Sequence, residues 1–125
     1  LALDDTDEEN GAMQFLPGSH KVGHIPWKES PEESVLNQQI EDISVFEKPF
    51  SNNLKAGEFS LHSSLLVHGS PKNQSSRRRC GLTIRYAPQE VVPLSSNYSK
   101  MSYFVSGNIT APHWQDNSPP SEYFL

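Results

Sequence analysis

The strongest constraint on the fold is the stretch 57–86, which reads GEFSLHSSLLVHGSPKNQSSRRRCGLTIRY. Apolar and polar residues alternate at its beginning and again from Cys80 to Tyr86, with the period of a half-buried strand. The part between, 69–76, is rich in turn-forming residues. The pattern predicts strand, turn, strand, polar loop and strand, and therefore a mainly β fold.

Polar residues mark the borders of these predicted strands. His68 ends one strand and Arg79 opens the next. In the last strand Arg79, Gly81, Thr83 and Arg85 share one face, because successive side chains of a strand point to opposite sides. Polar residues at the ends of strands, such as His68 and Arg79, are placed where a β-barrel could have its mouth.

The order of residues in this stretch also resembles a known family. His68-Gly69-Ser70, then Asn73, then Arg79 is similar to the phytanoyl-CoA dioxygenase family of Fe(II)- and 2-oxoglutarate-dependent oxygenases. A second signature of that family is similar to ENGAMQFLPGSHK at 9–21, and the resemblance covers roughly residues 1–88. It implies a double-stranded β-helix, the jelly-roll or cupin-like fold, with iron held by a His-x-Asp pair and a distal histidine.

The resemblance assigns roles residue by residue. His68 matches the distal iron ligand, Arg79 matches the arginine that binds the distal carboxylate of 2-oxoglutarate, and Ser70 matches a serine that helps to hold this co-substrate. Neutral imidazole is a suitable Fe(II) ligand, and a guanidinium binds a carboxylate through two hydrogen bonds. The neighbouring Arg77 and Arg78 carry the same charge, but spacing and strand parity favour Arg79.

Four further residues are candidates for contact with substrate or with the metal site. His62 faces the pocket if the chain between it and His68 folds back. Thr83 and Arg85 lie on the predicted face of Arg79, and Trp27 belongs to a loop expected to pass over the barrel mouth. A structural role explains Thr83 and Arg85 equally well, and an aromatic residue in a long loop, such as Trp27, more often packs against the base of that loop. His62 is not expected to be a metal ligand itself.

One part of the expected metal site is missing from the sequence. None of the five histidines is followed two residues later by Asp or Glu, and the resemblance places that pair before Leu1. We therefore interpret the sequence as the C-terminal part of a longer enzyme, inactive alone, with one of three protein ligands. Residues 1–88 are expected to complete the β-helix core, and 89–125 to form a loop-rich extension that packs on it.

The remaining segments predict turns, one helix and short strands. The acidic stretch 4–11 is predicted to be a turn closed by Asn10-Gly11. It is not an EF-hand, because counting from Asp5 puts neither Gly at position six nor Glu at position twelve. Ser30 is a suitable cap for a helix reaching Ile40, and short strands are predicted at 13–16, 43–46 and 50–55.

Composition limits the classes of partner. Hydrophobic residues make up 34%, ten residues are proline, and the mean hydropathy is −0.60, so much loop and a thin core are expected. The net charge of −5 predicts no attraction to nucleic acid or to an anionic membrane. Cys80 is the single cysteine, which excludes an internal disulfide and suggests a reducing, cytoplasmic location. The oligomeric state stays open.

The leading functional prediction is hydroxylation of a small organic substrate with Fe(II), 2-oxoglutarate and O2. A halogenase, in which a small residue replaces the carboxylate ligand, and a non-catalytic cupin-like binding protein remain open, because the upstream residue pair distinguishes them. A zinc hydrolase using His62 and His68 lacks a third ligand at supporting spacing.

Overall fold

The computed structural model describes residues 1–30, 37–108 and 110–117, which form short strands joined by turns and little helix. The strands are β1 (Gln14–Phe15), β2 (Lys28–Glu29), β3 (Gln38–Gln39), β4 (Phe50–Ser51) and β5 (His68–Gly69), and the helices are a 3-10 helix (Ser19–Val22) and α1 (Ser96–Lys100). The predicted mainly β class is confirmed. In the described ranges the strands form two small sheets and no closed barrel.

The larger sheet places β1 between β4 and β5, and both neighbours are antiparallel to it. Phe15 lies opposite Phe50 on one side and opposite His68 on the other. β2 and β3 form a separate antiparallel pair. The sheet therefore fixes His68 beside a buried aromatic ring.

The first residues of the chain lie between two other segments. Ala2 forms an isolated antiparallel bridge with Gly81, and the Leu82 N–H donates to the Leu1 carbonyl at 2.9 Å. On the opposite edge the Ala2 N–H donates to the Glu58 carbonyl at 2.8 Å. These bonds tie the start of the chain to the segment that follows Arg79.

The core of the described chain is small and contains two fully buried polar side chains. Its members are Ala2, Ala12, Phe15 and Leu16, with Asn10 and Ser19 at 0% exposure. The Ser19 hydroxyl donates to the Leu16 carbonyl at 2.8 Å and accepts from the Val67 N–H at 2.8 Å. The Pro-Gly-Ser segment is thereby fastened to the residue that precedes His68.

The predicted turn at Asn10-Gly11 is confirmed. The Asn10 Oδ1 accepts from the Asp7 N–H at 2.8 Å, and its Nδ2 donates to the Asp5 carbonyl at 2.8 Å. The Asn10 N–H donates in turn to the Asp7 carboxylate at 3.1 Å. The buried Asn10 amide therefore provides hydrogen-bond partners for two backbone groups of the acidic turn, the Asp7 N–H and the Asp5 carbonyl.

We expect Asn10→Ala to lower the free energy of unfolding by about 2–4 kcal/mol, because it leaves the Asp7 N–H and the Asp5 carbonyl without partners. Urea denaturation followed by circular dichroism measures the change. Asn53→Ala is the matched control: Asn53 is exposed, so its loss should cost no more than about 0.5 kcal/mol. Equal effects of the two variants would contradict this account of the turn.

Two of the predicted strands in 57–86 are wrong. Residues 59–62 and 80–86 form no regular strand, apart from the single bridge at Gly81. Apart from Cys80, which is half-buried, their apolar side chains are exposed, from 49% at Leu82 to 81% at Leu61. A strand requires a paired backbone along its length, and in the described chain only residues 1–4 lie along 80–82. The predicted strand face shared by Arg79, Gly81, Thr83 and Arg85 is therefore also wrong, because these residues do not form a strand.

Two local predictions in the middle of the chain also need correction. Residues 31–36 of the predicted helix lie outside the described residues, but its end is wrong, since Gln38–Gln39 is strand β3. The predicted strand at 43–46 is a turn, in which the Phe46 N–H donates to the Ile43 carbonyl at 3.1 Å. The Asp42 carboxylate accepts from the Ser44 N–H and hydroxyl, and such local bonds favour turns over strands.

The chain divides into two compact units, Leu1–Thr83 and Ile84–Leu125. Within the second unit Ser95 caps α1 by accepting from the Asn97 N–H. The Trp114 Nε1–H donates to the Gln89 carbonyl at 3.0 Å. The division into a core at 1–88 and an extension at 89–125 stays a prediction. Among the described residues we find no helix with the length and apolarity needed to cross a membrane.

Candidate functional site

His68 lies in β5 with an exposed side chain and a defined ring orientation. Its Nδ1 is 2.7 Å from the Leu66 carbonyl oxygen. A carbonyl only accepts hydrogen bonds, so Nδ1 carries the proton and Nε2 of the neutral ring keeps its lone pair. A backbone contact of this kind orients metal-binding histidines and fixes their tautomer.

A second imidazole lies against His68. The ring centroid of His62 is 4.9 Å from that of His68 and 4.8 Å from that of Phe15. The turn that brings His62 back is closed by the Leu66 N–H, which donates to the Ser63 carbonyl at 3.0 Å. Partial burial, and then the neighbouring His68, lower the pKa of His62, which keeps its ring neutral near pH 7.

The described residues supply no complete metal site. No three of their His, Cys, Asp and Glu side chains come close enough together to hold a metal ion. His68 is therefore a single candidate metal ligand, with its ring already oriented by the Leu66 carbonyl. The zinc-hydrolase alternative with His62 and His68 finds no third group in this part of the molecule.

The three consecutive arginines have different environments. Arg77 donates through Nη2 to Asp7 at 2.8 and 2.9 Å and to Glu9 at 3.0 Å. Arg78 binds Asp4 through two parallel bonds, Nε to Oδ2 at 2.9 Å and Nη2 to Oδ1 at 2.8 Å.

Arg79 differs from both of these arginines. Its side chain is exposed and has no hydrogen-bond or ion-pair partner within residues 1–30, 37–108 and 110–117. The positive charges at 77 and 78 are thus compensated by carboxylates, while that of Arg79 is available to a ligand.

The loop between His68 and Arg79 is ordered by one asparagine. The Asn73 Oδ1 accepts from the Ser75 N–H and hydroxyl, both at 2.8 Å, and its Nδ2 donates to the Arg77 carbonyl at 2.7 Å. Ser70 opens this loop and is exposed.

The other predicted site residues are dispersed. Thr83 and Arg85 are exposed and fall in different compact units. Trp27 is 57% exposed and lines an open hollow of about 440 Å³ between residues 25–28 and 40–42. The structure brings together His62 and His68, and the roles of all seven residues stay predictions.

The acidic turn should make stability depend on pH. Hydrogen bonds from Arg78, from the Ala56 N–H and from the Asn10 N–H are the largest causes that lower the pKa of Asp4, Asp5 and Asp7, respectively. A lowered carboxyl pKa stabilises the fold above the ordinary value of about 3.9, and the benefit disappears as the pH falls through the folded-state pKa.

We expect the free energy of unfolding to decline between about pH 5 and pH 3, as the carboxyl groups of Asp4, Asp5 and Asp7 gain protons. The Asp4→Asn/Asp5→Asn/Asp7→Asn variant should show a flatter acid limb. Urea denaturation across this range measures both profiles. Parallel profiles would contradict the assignment, and 1 M salt should weaken the effect because these groups are exposed.

Sequence reasoning missed two residues that build the site. Asp4 binds Arg78 and also accepts from the Cys80 N–H at 2.9 Å, and Ser19 fastens the segment before His68. The sequence contains an acidic stretch at 4–11 and three arginines at 77–79, but nothing in it indicated that these charges would pair.

Comparison with known proteins identifies the family. The model of the phytanoyl-CoA dioxygenase family matches residues 1–81, a range that contains His68 and Arg79. The chain belongs to the phytanoyl-CoA dioxygenase family. No solved structure is significantly similar to it.

Curated relatives include bacterial and fungal dioxygenases. A probable alpha-ketoglutarate-dependent hypophosphite dioxygenase from Stutzerimonas stutzeri is 37% identical over 118 residues, which is 88% of this chain and 41% of that protein. Dioxygenase olcK from Penicillium canescens is 29% identical over 78% of this chain and 27% of its own length. Dioxygenase cdmD from Talaromyces verruculosus is 27% identical, again over 78% of this chain and 28% of its own length. The chain thus spans about two-fifths or less of these relatives.

Proposed function

We propose that the protein acts as an Fe(II)- and 2-oxoglutarate-dependent dioxygenase on a small substrate. The observation that carries the proposal is the family match over residues 1–81. A relative named as an alpha-ketoglutarate-dependent dioxygenase, which aligns with 88% of the chain, supports it. In the overall reaction one atom of O2 enters the substrate and the other enters succinate, while 2-oxoglutarate loses CO2.

His68 fits the role of one iron ligand. Its Nδ1–H donates to the Leu66 carbonyl, so the Nε2 lone pair is available, and neutral imidazole nitrogen is an accepted ligand of Fe(II). Iron, when bound, would supply activation of O2 and coordination of the 2-oxoacid. The protein would contribute a ring already held in one tautomer and orientation.

Arg79 fits the role of the group that binds the distal carboxylate of 2-oxoglutarate. Its guanidinium has no partner among the described residues, whereas Arg77 and Arg78 are paired. An arginine forms two parallel hydrogen bonds with a carboxylate. Ser70 lies at the start of the same loop, and its hydroxyl would form a hydrogen bond with the same co-substrate.

The remaining candidates would act on the substrate or beside the metal. His62 contacts His68, and its neutral ring can donate one hydrogen bond and accept another. Trp27 would contribute an aromatic wall, and Thr83 and Arg85 would contribute polar contacts. We further propose that the two small sheets belong to a double-stranded β-helix, the fold that the family resemblance implies.

Hypophosphite is a second candidate substrate beside small organic molecules. The relative that carries this name is 37% identical to the chain. Oxygen insertion would convert a P–H bond of hypophosphite to P–OH and give phosphite, with succinate and CO2 as the other products.

Succinate formation tests the proposal directly. We expect the intact protein with Fe(II), O2 and 2-oxoglutarate to form succinate, and the rate to rise with an accepted substrate from a panel of hypophosphite and small organic acids. A chlorinated product that requires chloride would indicate the halogenase alternative. The absence of succinate with every substrate would favour a non-catalytic binding protein.

We expect Arg79→Ala to raise the Kd of 2-oxoglutarate by about 100-fold, because hydrogen bonds between charged groups contribute about 1.5–3 kcal/mol. Calorimetric titration of the anaerobic Fe(II)-loaded protein measures the affinity. Arg77→Ala is the matched control, since its guanidinium is occupied by Asp7 and Glu9. A larger effect at position 77 than at 79 would overturn the choice of arginine.

A further inference from the structure

Both chain neighbours of Arg79 are held by the same carboxylate. Asp4 Oδ1 accepts from Arg78 Nη2 at 2.8 Å, and Asp4 Oδ2 accepts from Arg78 Nε at 2.9 Å and from the Cys80 N–H at 2.9 Å. The backbone of Asp4 adds a bond in the other direction, because its N–H donates to the Cys80 carbonyl at 3.3 Å. The residue between these two attachment points is Arg79.

The same contacts determine which of the two arginines has no carboxylate partner in the part of the chain that the structure describes. Arg78 and Arg79 carry the same charged group, and an unpaired carboxylate beside them would attract either one. The bidentate geometry on Asp4 occupies the guanidinium of Arg78, and the bond to the Cys80 N–H fixes the backbone beyond Arg79. The Asp4 side chain is itself only 23% exposed, so its carboxylate is held in place by its surroundings.

We propose that Asp4 is the positioning residue of Arg79: by binding Arg78 and Cys80 it holds the chain on both sides of Arg79 and keeps that guanidinium free for the distal carboxylate of 2-oxoglutarate. The inference rests on the proposed function. It predicts that Asp4, whose carboxylate binds Arg78 and the Cys80 N–H, determines how strongly the protein distinguishes 2-oxoglutarate from 2-oxoacids that lack the second carboxylate.

The test compares two ligands that differ only at that end. In 2-oxopentanoate a methyl group replaces the distal carboxylate of 2-oxoglutarate, so the ratio of the two Kd values reports the contacts made by that carboxylate. Anaerobic calorimetric titrations of the intact Fe(II)-loaded protein give this ratio for each variant. We expect Asp4→Asn to lower the preference for 2-oxoglutarate about ten-fold and to leave the Kd of 2-oxopentanoate unchanged.

Three further variants make the result specific. Arg78→Gln preserves the contact of Asp4 with Cys80 but frees the carboxylate to attract Arg79, so the preference should fall in this variant as well. Asp5→Asn is the matched control, because Asp5 binds Lys55 and the Ala56 N–H and its loss should not change the preference. Arg79→Ala should abolish the preference.

The outcomes separate the inference from the proposed function. An unchanged preference in Arg79→Ala would overturn the role of Arg79 and the inference with it. A lost preference in Arg79→Ala, together with a full preference in Asp4→Asn and Arg78→Gln, would overturn the inference alone. Equal weakening of both 2-oxoacids by Asp4→Asn would show a general effect on the fold and would also overturn it.

Discussion

Replacement of His68 by alanine is expected to weaken Fe(II) binding by at least about 100-fold and to abolish 2-oxoglutarate turnover. Loss of a residue that only hydrogen-bonds to a metal ligand lowers metal affinity by up to about 100-fold, and loss of the ligand itself should cost at least as much. The variant removes the one imidazole whose Nε2 lone pair is fixed by a backbone contact. The fold should persist, because the side chain is exposed and the lost ring contacts are worth about 1 kcal/mol.

Equilibrium dialysis with Fe(II) under anaerobic conditions measures the affinity, and circular dichroism confirms that the variant is folded. His20→Ala is the matched control, since His20 is exposed and belongs to the 3-10 helix. His62→Ala should retain measurable iron binding, because His62 contacts the proposed ligand His68 but is not proposed to bind the iron itself. Iron affinity that is unchanged in a folded His68→Ala protein would remove His68 from the site.

Gly11→Ala should lower the free energy of unfolding by about 2–5 kcal/mol. Gly11 has φ of 80°, and a left-handed conformation costs an alanine about 1–2 kcal/mol. A Cβ atom would also lie 2.6 Å from the Pro71 carbonyl oxygen, and overpacking of this kind costs about 1–3 kcal/mol. Relief of the clash would move the loop that leads to Arg79, so the affinity for 2-oxoglutarate should fall as well.

Gly18→Ala separates the two causes. Gly18 has φ of 78°, but no atom lies within 4 Å of the position that an alanine methyl group would occupy, so it carries the conformational cost alone. Urea denaturation of both variants should show Gly11→Ala to be the more destabilising by about 1–3 kcal/mol. Equal losses would mean that the approach of Pro71 to Gly11 does not constrain the loop.

Features encoded by a few adjacent residues could be predicted from the sequence. Asn10-Gly11 closes a turn because Gly11 adopts a positive φ and the Asn10 amide binds its own turn. The turn before Leu66 follows from an equally local pattern. In these cases the residues that set the conformation lie within a few positions of one another, so a short stretch of sequence contains the signal.

Features that depend on distant partners could not be predicted. The alternation from Cys80 to Tyr86 indicated a strand, but periodicity does not provide the neighbouring backbone that a strand requires. Strand β3 was predicted as the end of a helix, because the sequence does not show its antiparallel pairing with Lys28–Glu29. In both cases tertiary pairing, and not local preference, determines the conformation.

The candidate site also combines features that could be predicted from the sequence with features that depend on distant residues. The family resemblance assigned roles to His68 and Arg79, and these roles stay predictions. The structure adds that Arg79 differs from the two preceding arginines in having no carboxylate partner among the described residues. The partners of Arg77 and Arg78 are Asp7 and Asp4, which are 70 and 74 residues away in the chain. Contacts at such separations arise only when the acidic turn and the arginine loop meet in the fold.

Anaerobic titration of the intact protein with Fe(II) and 2-oxoglutarate tests the central claim most directly, because the chelated complex has a weak visible charge-transfer band. The proposed function predicts a band that saturates at one equivalent of iron and is lost in His68→Ala. In Arg79→Ala the band should require a much higher concentration of 2-oxoglutarate. A folded intact protein that gives no band with both components in excess would contradict the assignment as an iron-dependent dioxygenase.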